Sequence, residues 1–147
     1  FERAMSAAAA LVTGAVASGL TTRLVAPEVD LRGPDVAPLA LRWLATANHG
    51  AGGTTSFPSL RAGEGLGLLV LITGSPSSVR ATEVRNAASP DDTIVIVATA
   101  SLGERAKDRF LVDATTDEGF AANWPRLSGG INSGSRRPAP GSMAVIG

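Results

Sequence analysis

Apolar residues recur at helical spacing from the first residue of the chain. Steps of three and four join the members of this stripe, which are Phe1, Met5, Ala8, Val12 and Val16. The spacing predicts a helix over residues 1–18, with Gly19 as its stop. No capping residue precedes the stripe, so we expect the chain to be the later part of a longer gene product.

A strand, a helix and a long loop are predicted next. Residues 20–26 (LTTRLVA) predict a short strand that is closed by a proline. A second helix is predicted to begin at Asp35, as its N-cap, and to run to about Ala47. Residues 48–65 form the longest irregular segment and contain five glycines. A loop of that length in a compact domain is usually functional, disordered or a misjudged element.

Two continuous apolar runs give the clearest strand predictions. Residues 66–73 (LGLLVLIT) and 93–99 (TIVIVAT) have the character of strands that are buried on both faces of a parallel sheet. Between them, residues 77–88 are predicted to form a helix, with Ser75 as its cap and Pro76 at its first position.

The last third of the chain predicts a short strand, a short helix and a tail. Residues 109–114 (RFLVDA) predict the strand, and Thr115 and Glu118 have the spacing of a capping box. Pro125 is expected to end or kink the helix that follows. Residues 128–147 are rich in Gly, Ser, Pro and Arg, so they predict a disordered tail behind a domain over residues 1–127.

Strands that alternate with helices predict the fold class. Right-handed crossovers between them produce a mainly parallel sheet with helices on both faces. The sequence therefore predicts a three-layer, Rossmann-like α/β domain.

Composition excludes several classes of protein. The chain has 147 residues, 44% hydrophobic and 18% charged, which is an ordinary globular balance. Thirteen basic and thirteen acidic residues leave no net charge that would attract nucleic acid or anionic membranes. The absence of Cys excludes disulfides, thiolate metal sites and Cys nucleophiles. No apolar run reaches the ~18 residues that a membrane span requires.

Residues 13–19 (TGAVASG) resemble the phosphate-binding loop of short-chain dehydrogenases. Their third glycine is missing, and the residues before them continue a helical stripe instead of a strand. Only Leu20 separates them from the next strand, which leaves no room for a crossover helix. Because of these departures, a nucleotide-binding oxidoreductase fragment is kept only as the alternative hypothesis.

Catalytic patterns are scarce. His49 is the only histidine and lies in the glycine-rich loop, and the chain contains no GxSxG nucleophile elbow. Thr73 and Ser75 follow a predicted strand at the sheet edge where open α/β sheets bind ligands. Capping of the next helix is the favoured explanation of Ser75, and both roles can hold together.

Several stretches of the chain carry a resemblance to a known family. They are residues 1–9 (FERAMSAAA), 19–25 (GLTTRLV), 68–75 (LLVLITGS) and 109–124 (RFLVDATTDEGFAANW). Together they resemble the von Willebrand factor A-like domains. The closer likeness is to a bacterial family of unknown function that is often encoded beside MoxR-type AAA+ ATPases. The resemblance covers roughly residues 1–127.

The resemblance implies a sheet whose upper rim can carry a metal-ion-dependent adhesion site. Such a site takes an Asp-x-Ser-x-Ser loop, a Thr from a second loop and an Asp from a third, and it suits Mg²⁺. The first loop would precede Phe1, and the third reads Thr73-Gly74-Ser75 here, without the carboxylate. We expect a degenerate site with Asp35, Thr73 and Ser75 as rim candidates. Mg²⁺ would bind only if an upstream segment supplied ligands.

The resemblance also implies what is missing from the sheet and what the domain does. The family's first strand lies between those at 20–26 and 66–73, so we expect the sheet to lack it. The family implies a non-enzymatic protein-interaction module on the cytoplasmic face of a membrane-anchored parent, with a MoxR-type ATPase as partner. Its rim would comprise the loops around Asp35, residues 48–65 and residues 73–77. An inert scaffold without a ligand is a further hypothesis.

Overall fold

The computed structural model describes residues 1–26, 29–47, 68–88, 93–102, 110–134 and 142–146. Its helices are α1 (Glu2–Ala17), α2 (Val36–Thr46), α3 (Val79–Ala87) and α4 (Asp117–Gly134). Its strands are β1 (Thr21–Ala26), β2 (Val29–Arg32), β3 (Leu68–Thr73), β4 (Thr93–Ala98), β5 (Leu111–Asp113) and β6 (Ser142–Ile146).

The strands form one sheet in the order β2-β1-β6-β3-β4-β5. All neighbours are parallel except β1 and β2, which are antiparallel. Helices cover both faces of the sheet, because alternate residues of β3 join two different clusters. Val70 and Ile72 pack in the larger cluster with α1 and α2, whereas Leu69 and Leu71 pack with α3. The predicted α/β class, with helices on both faces of a mainly parallel sheet, is confirmed, and the arrangement is compatible with a Rossmann-like fold.

The end of α1 has a local cause. Gly19 has a φ of +74°, which a residue with a side chain rarely adopts. This conformation lets the backbone N–H of Leu20 donate to the carbonyl of Ala15 at 3.0 Å, and that bond closes the helix. The chain can therefore enter β1 directly after α1.

Strand β2 was not predicted. It pairs with β1 in the register Arg23↔Arg32 and Val25↔Asp30, at the edge of the sheet. An edge strand needs apolar contacts on one face only, so its four residues carry a weak hydrophobic signal. Because β2 is antiparallel, it returns the chain to the amino ends of the parallel strands.

The prediction of a disordered tail over residues 128–147 is wrong for much of that segment. Helix α4 continues through Pro125 to Gly134, so Pro125 does not end it. Strand β6 then lies in the centre of the sheet, between β1 and β3. That is the position where the sheet was expected to lack a strand.

Two side chains of β6 explain why this strand belongs to the core. Met143 is 3% exposed and Val145 is fully buried, and both join the larger hydrophobic cluster. Residues 143–146 (MAVI) form a short continuous apolar run, which is consistent with a buried strand. Its five residues follow a segment rich in Gly, Pro and Arg, and that composition hid the pattern.

Some predictions lie outside the described residues. They concern the loop over residues 48–65, with His49, and the start of the strand predicted over 109–114. Among the helices that are described, none combines the length and apolar character needed to cross a bilayer.

Candidate functional site

Polar side chains follow three parallel strands at the carboxyl edge of the sheet. Thr73 ends β3, Thr99 comes directly after β4 and Asp113 ends β5. We call these three residues, together with Ser75, Ser77 and Ser78, the carboxyl rim. Ligands of open α/β sheets bind at this edge, so the rim is the candidate functional site.

The hydroxyl of Thr73 shapes the turn between β3 and α3. Its Oγ1 donates to the carbonyl of Ser75 at 3.0 Å and accepts from the Ser75 backbone N–H at 3.3 Å. It also lies 3.5 Å from the hydroxyl of Ser78. The predicted ligand oxygen of Thr73 is therefore already engaged within its own turn.

Ser78, and not Ser75, caps α3. The Ser78 hydroxyl accepts the backbone N–H of Ala81 at 3.2 Å, which satisfies one of the free donors at the helix start. The Ser75 hydroxyl instead lies 3.0 Å from the hydroxyl of Ser77. The cap prediction was wrong because Pro76 and Ser77 form a turn before α3 begins at Val79.

A second turn at the rim follows β5. The carboxylate of Asp113 accepts the hydroxyl of Thr115 at 2.7 Å and the backbone N–H of Thr115 at 2.9 Å. These bonds lower the pKa of Asp113 below its usual value, because they favour the charged form. Thr116 accepts the backbone N–H of Gly119 at 2.9 Å, so it takes the capping role predicted for Thr115.

Asp35 does not belong to the rim. It follows β2, whose last residue Arg32 pairs with Arg23 near the start of β1. Leu71 of β3 pairs with Ile146 of β6, which in turn pairs with Val25 of β1. Thr73 lies two residues beyond Leu71 along β3. Arg32 and Thr73 are thus about 13 Å apart along the strands and about 14 Å apart across them.

The described rim residues do not converge on a common position for Mg²⁺. Thr73, Ala98 and Asp113 share one row, so about 9–10 Å separate Thr73 from Asp113, at ~4.8 Å per strand. The hydroxyl of Thr73 and the carboxylate of Asp113 each bond within their own turn, so the two oxygens are not arranged as ligands of one ion. No group of three or more His, Asp or Glu residues suited to a metal occurs in the described part of the chain.

Residues 13–19 do not form a phosphate loop. Thr13 and Gly14 lie inside α1, and the helix runs unbroken to Ala17. Backbone N–H groups inside a helix are bonded to carbonyls one turn earlier, so they cannot cradle a phosphate. This placement removes the residues on which the oxidoreductase hypothesis depended.

A charged cluster lies at the opposite side of the sheet from β5. The side chain of Arg23 is 7% exposed and binds Asp30 through two bonds of 2.8 and 2.9 Å. Arg32 binds the same carboxylate at 2.7 Å. Hydrogen bonds from Arg23 and then Arg32 hold the pKa of Asp30 far below its usual range. The cluster joins β2 to β1.

Sequence reasoning missed Ser78, Thr99 and Asp113 as rim residues. Thr99 and Asp113 each come at the end of an apolar run, a signal that was used only at Thr73 and Ser75, whereas Ser78 lies in the polar turn after Thr73. Comparison with protein-family models, curated proteins and solved structures finds no match for this chain.

Proposed function

We propose that the chain is a non-enzymatic protein-interaction module of the von Willebrand A-like type, with the carboxyl rim as its binding surface. Its adhesion site is degenerate and does not depend on a metal. The partner we propose is a MoxR-type AAA+ ATPase, and the parent protein is anchored to a membrane with this domain on the cytoplasmic side.

One observation carries the proposal. The rim presents hydroxyl groups that bond to their own turns, and its single carboxylate, Asp113, is held by Thr115. General acid–base chemistry needs a titratable group that is poised near the working pH, and a hydrogen-bonded carboxylate with a lowered pKa is a poor base. Ser77 is exposed at this rim, where it is accessible to a partner's surface.

Sheet order supports the family assignment within this proposal. The family's first strand lies between the strands that correspond to β1 and β3, and here β6 lies in that position. The antiparallel strand β2 at the edge and helices on both faces complete a six-stranded arrangement of this type.

Binding of the purified ATPase to the immobilised full chain tests the proposal. Ser77→Arg places a long charged side chain on the rim, and we expect it to weaken binding by about tenfold. Thr21→Arg is the matched control, because Thr21 is also an exposed hydroxyl residue but begins β1 at the opposite edge. Equal losses in both variants, or no binding by the unaltered chain, would contradict the proposal.

A further inference from the structure

Helices α1 and α2 cover one face of the sheet with a surface that is poor in charge. The two helices pack against each other and against the larger hydrophobic cluster. Beyond Glu2 and Arg3 in the first turn of α1, their only charged residue is Arg42. Helix α3 on the other face has nine residues, and three of them are charged. We call the outward-facing side of α1 from Ser6 to Ala17, together with that of α2 from Pro38 to Thr46, the α1/α2 layer.

Apolar side chains occupy much of the α1/α2 layer. Leu39 is 43% exposed and Leu41 is 44% exposed, and Pro38 and Ala45 of the same helix are exposed as well. Leu39 and Leu41 are about 200° apart around the helix, so they border its outer surface on both sides. Single exposed leucines are common, but an apolar surface with so little charge marks an interaction site.

Gly14 gives the layer a shallow position on α1. Glycine inside a helix is less stable than alanine by about 0.5–1 kcal/mol. A Cβ added at Gly14 would meet no atom within 4 Å, so packing within the chain does not require the glycine. Ala10 and Ala17, on the same side of α1, are small and exposed too. A second helix can therefore approach α1 closely at this position.

The two helices complement each other in shape. Helix α1 ends and α2 begins at the amino edge of the sheet, because β1 follows α1 and the antiparallel β2 returns the chain to that edge. Gly14 lies three residues before the end of α1, and Leu39 lies three residues after the start of α2. Both are thus about 4.5 Å from a helix end at this edge. A two-fold axis that runs between the helices would place the leucines of one copy over the small residues of the other.

A second copy of the chain is the occupant that fits this layer in size and charge. The layer is about 24 Å long and about 20 Å wide, at 1.5 Å per residue of α1 and about 10 Å per helix. A face-to-face pair would bury about 500 Å² on each copy, or about 1,000 Å² in all, which is enough for a weak specific interface. Arg42 alone offers little attraction to an anionic membrane, and its long side chain can keep its charge in water at the interface edge.

We propose that two copies of this chain pair through the α1/α2 layer, with α1 of each copy against α2 of the other. The dimer is symmetric and reversible, and we expect a Kd of about 10–100 µM for an interface of this size. The inference does not depend on the proposed function, because the carboxyl rim lies at an edge of the sheet and not on this face.

Sedimentation equilibrium of the full chain, from about 1 to about 500 µM, measures the dimer. Gly14→Leu fills the shallow position on α1 and should raise the Kd about tenfold or more. This variant should stay folded, because leucine has a higher helix propensity than glycine and the position is open. Asn86→Leu is the matched control and should leave the Kd unchanged, since Asn86 is exposed on α3, on the other face.

Leu39→Ser tests the other half of the contact and should weaken the dimer by a similar factor. A dimer that Gly14→Leu and Leu39→Ser weaken, and that Asn86→Leu does not, supports the proposal. A chain that stays monomeric up to about 500 µM overturns it, including the case in which the monomer floats with phosphatidylcholine vesicles. A dimer that responds equally to all three variants overturns it as well.

Discussion

Asp30 illustrates how a single carboxylate organises the edge of the sheet. It neutralises part of the charge on Arg23, whose side chain is almost fully buried, and it also binds the exposed Arg32. Loss of this partner would be costly for Arg23, which is buried, and much less so for Arg32, which is solvated. The two hydrogen bonds from Arg23 to the carboxylate also fix the relative orientation of the two side chains.

Replacing Asp30 by Asn should destabilise the protein by about 2 kcal/mol at pH 7. This is less than the 3–5 kcal/mol of a fully buried pair, since Arg32 and part of Asp30 are solvated. Chemical denaturation measures the difference. Asp35→Asn is the control, because Asp35 is exposed and its side chain makes no capping bond.

The same pair of variants predicts a pH dependence. The folded-state pKa of Asp30 is depressed, so its contribution is present above the unfolded pKa, about 3.9, and is lost as pH falls below it. The stability difference between the natural chain and Asp30→Asn should therefore shrink from pH 5 towards pH 2. A stability difference that stays constant over this range would show that the negative charge of Asp30 does not contribute to folding stability.

Element boundaries depend on single hydroxyl groups, and α3 is the clearest case. The structure assigns the cap to Ser78, three residues after the position that the sequence favoured. Both serines precede the helix, and only the turn through Pro76 and Ser77 decides between them.

Ser78→Ala should therefore cost about 1 kcal/mol, because it removes the acceptor for the Ala81 N–H. Ser75→Ala should cost less, since the Ser75 hydroxyl bonds to that of the exposed Ser77. Denaturation midpoints of the two variants measure the comparison. A larger loss of stability in Ser75→Ala than in Ser78→Ala would contradict this and would support Ser75 as the cap of α3.

Strand β6 gives a second prediction at the scale of elements. Met143→Ala should destabilise the protein by about 2–5 kcal/mol, the range for a buried Met in a packed core. Val79→Ala is the control, because the Val79 side chain is 75% exposed. A midpoint unchanged by Met143→Ala would mean that residues 142–146 lie outside the core.

The sequence predicted elements well where the hydrophobic signal was long. Strands β3 and β4 agree with their predictions to within two residues, because continuous apolar runs reflect burial on both faces. Strand β2 carries Asp30, whose charge is paired with Arg23 of the neighbouring strand β1, and no local pattern reveals that pairing. Strand β6 depends on neighbours more than seventy residues away along the chain, so its place in the sheet was not predictable.

Sheet topology decides which predicted site residues meet. Thr73 and Ser75 lie at the carboxyl rim as expected, because the end of a buried strand can be read from the sequence. Asp35 lies at the opposite edge, since the unpredicted β2 turns the chain around before α2. The carboxylate of the rim is that of Asp113, which bonds to Thr115 in its own turn.

Mg²⁺ should leave the thermal stability of the whole molecule unchanged. A ligand that binds only the folded state adds about 2.7 kcal/mol at a hundredfold excess over its Kd, and Tm rises accordingly. Melting curves with and without about 10 mM Mg²⁺ would reveal a site with a Kd near 0.1 mM by this relation. NaCl at equal ionic strength is the control, and a Tm rise that is specific to Mg²⁺ would contradict the degenerate rim.

The central claim at the scale of the molecule is that residues 142–146 complete the sheet between β1 and β3. Amide hydrogen exchange on the full chain tests it most directly, because strand amides bonded to neighbours exchange only when the structure opens. We expect protection at Met143, Val145 and Ile146 comparable to that at Leu69 and Leu71. Exchange of residues 142–146 at the rate of an unstructured peptide, while β3 stays protected, would contradict the account.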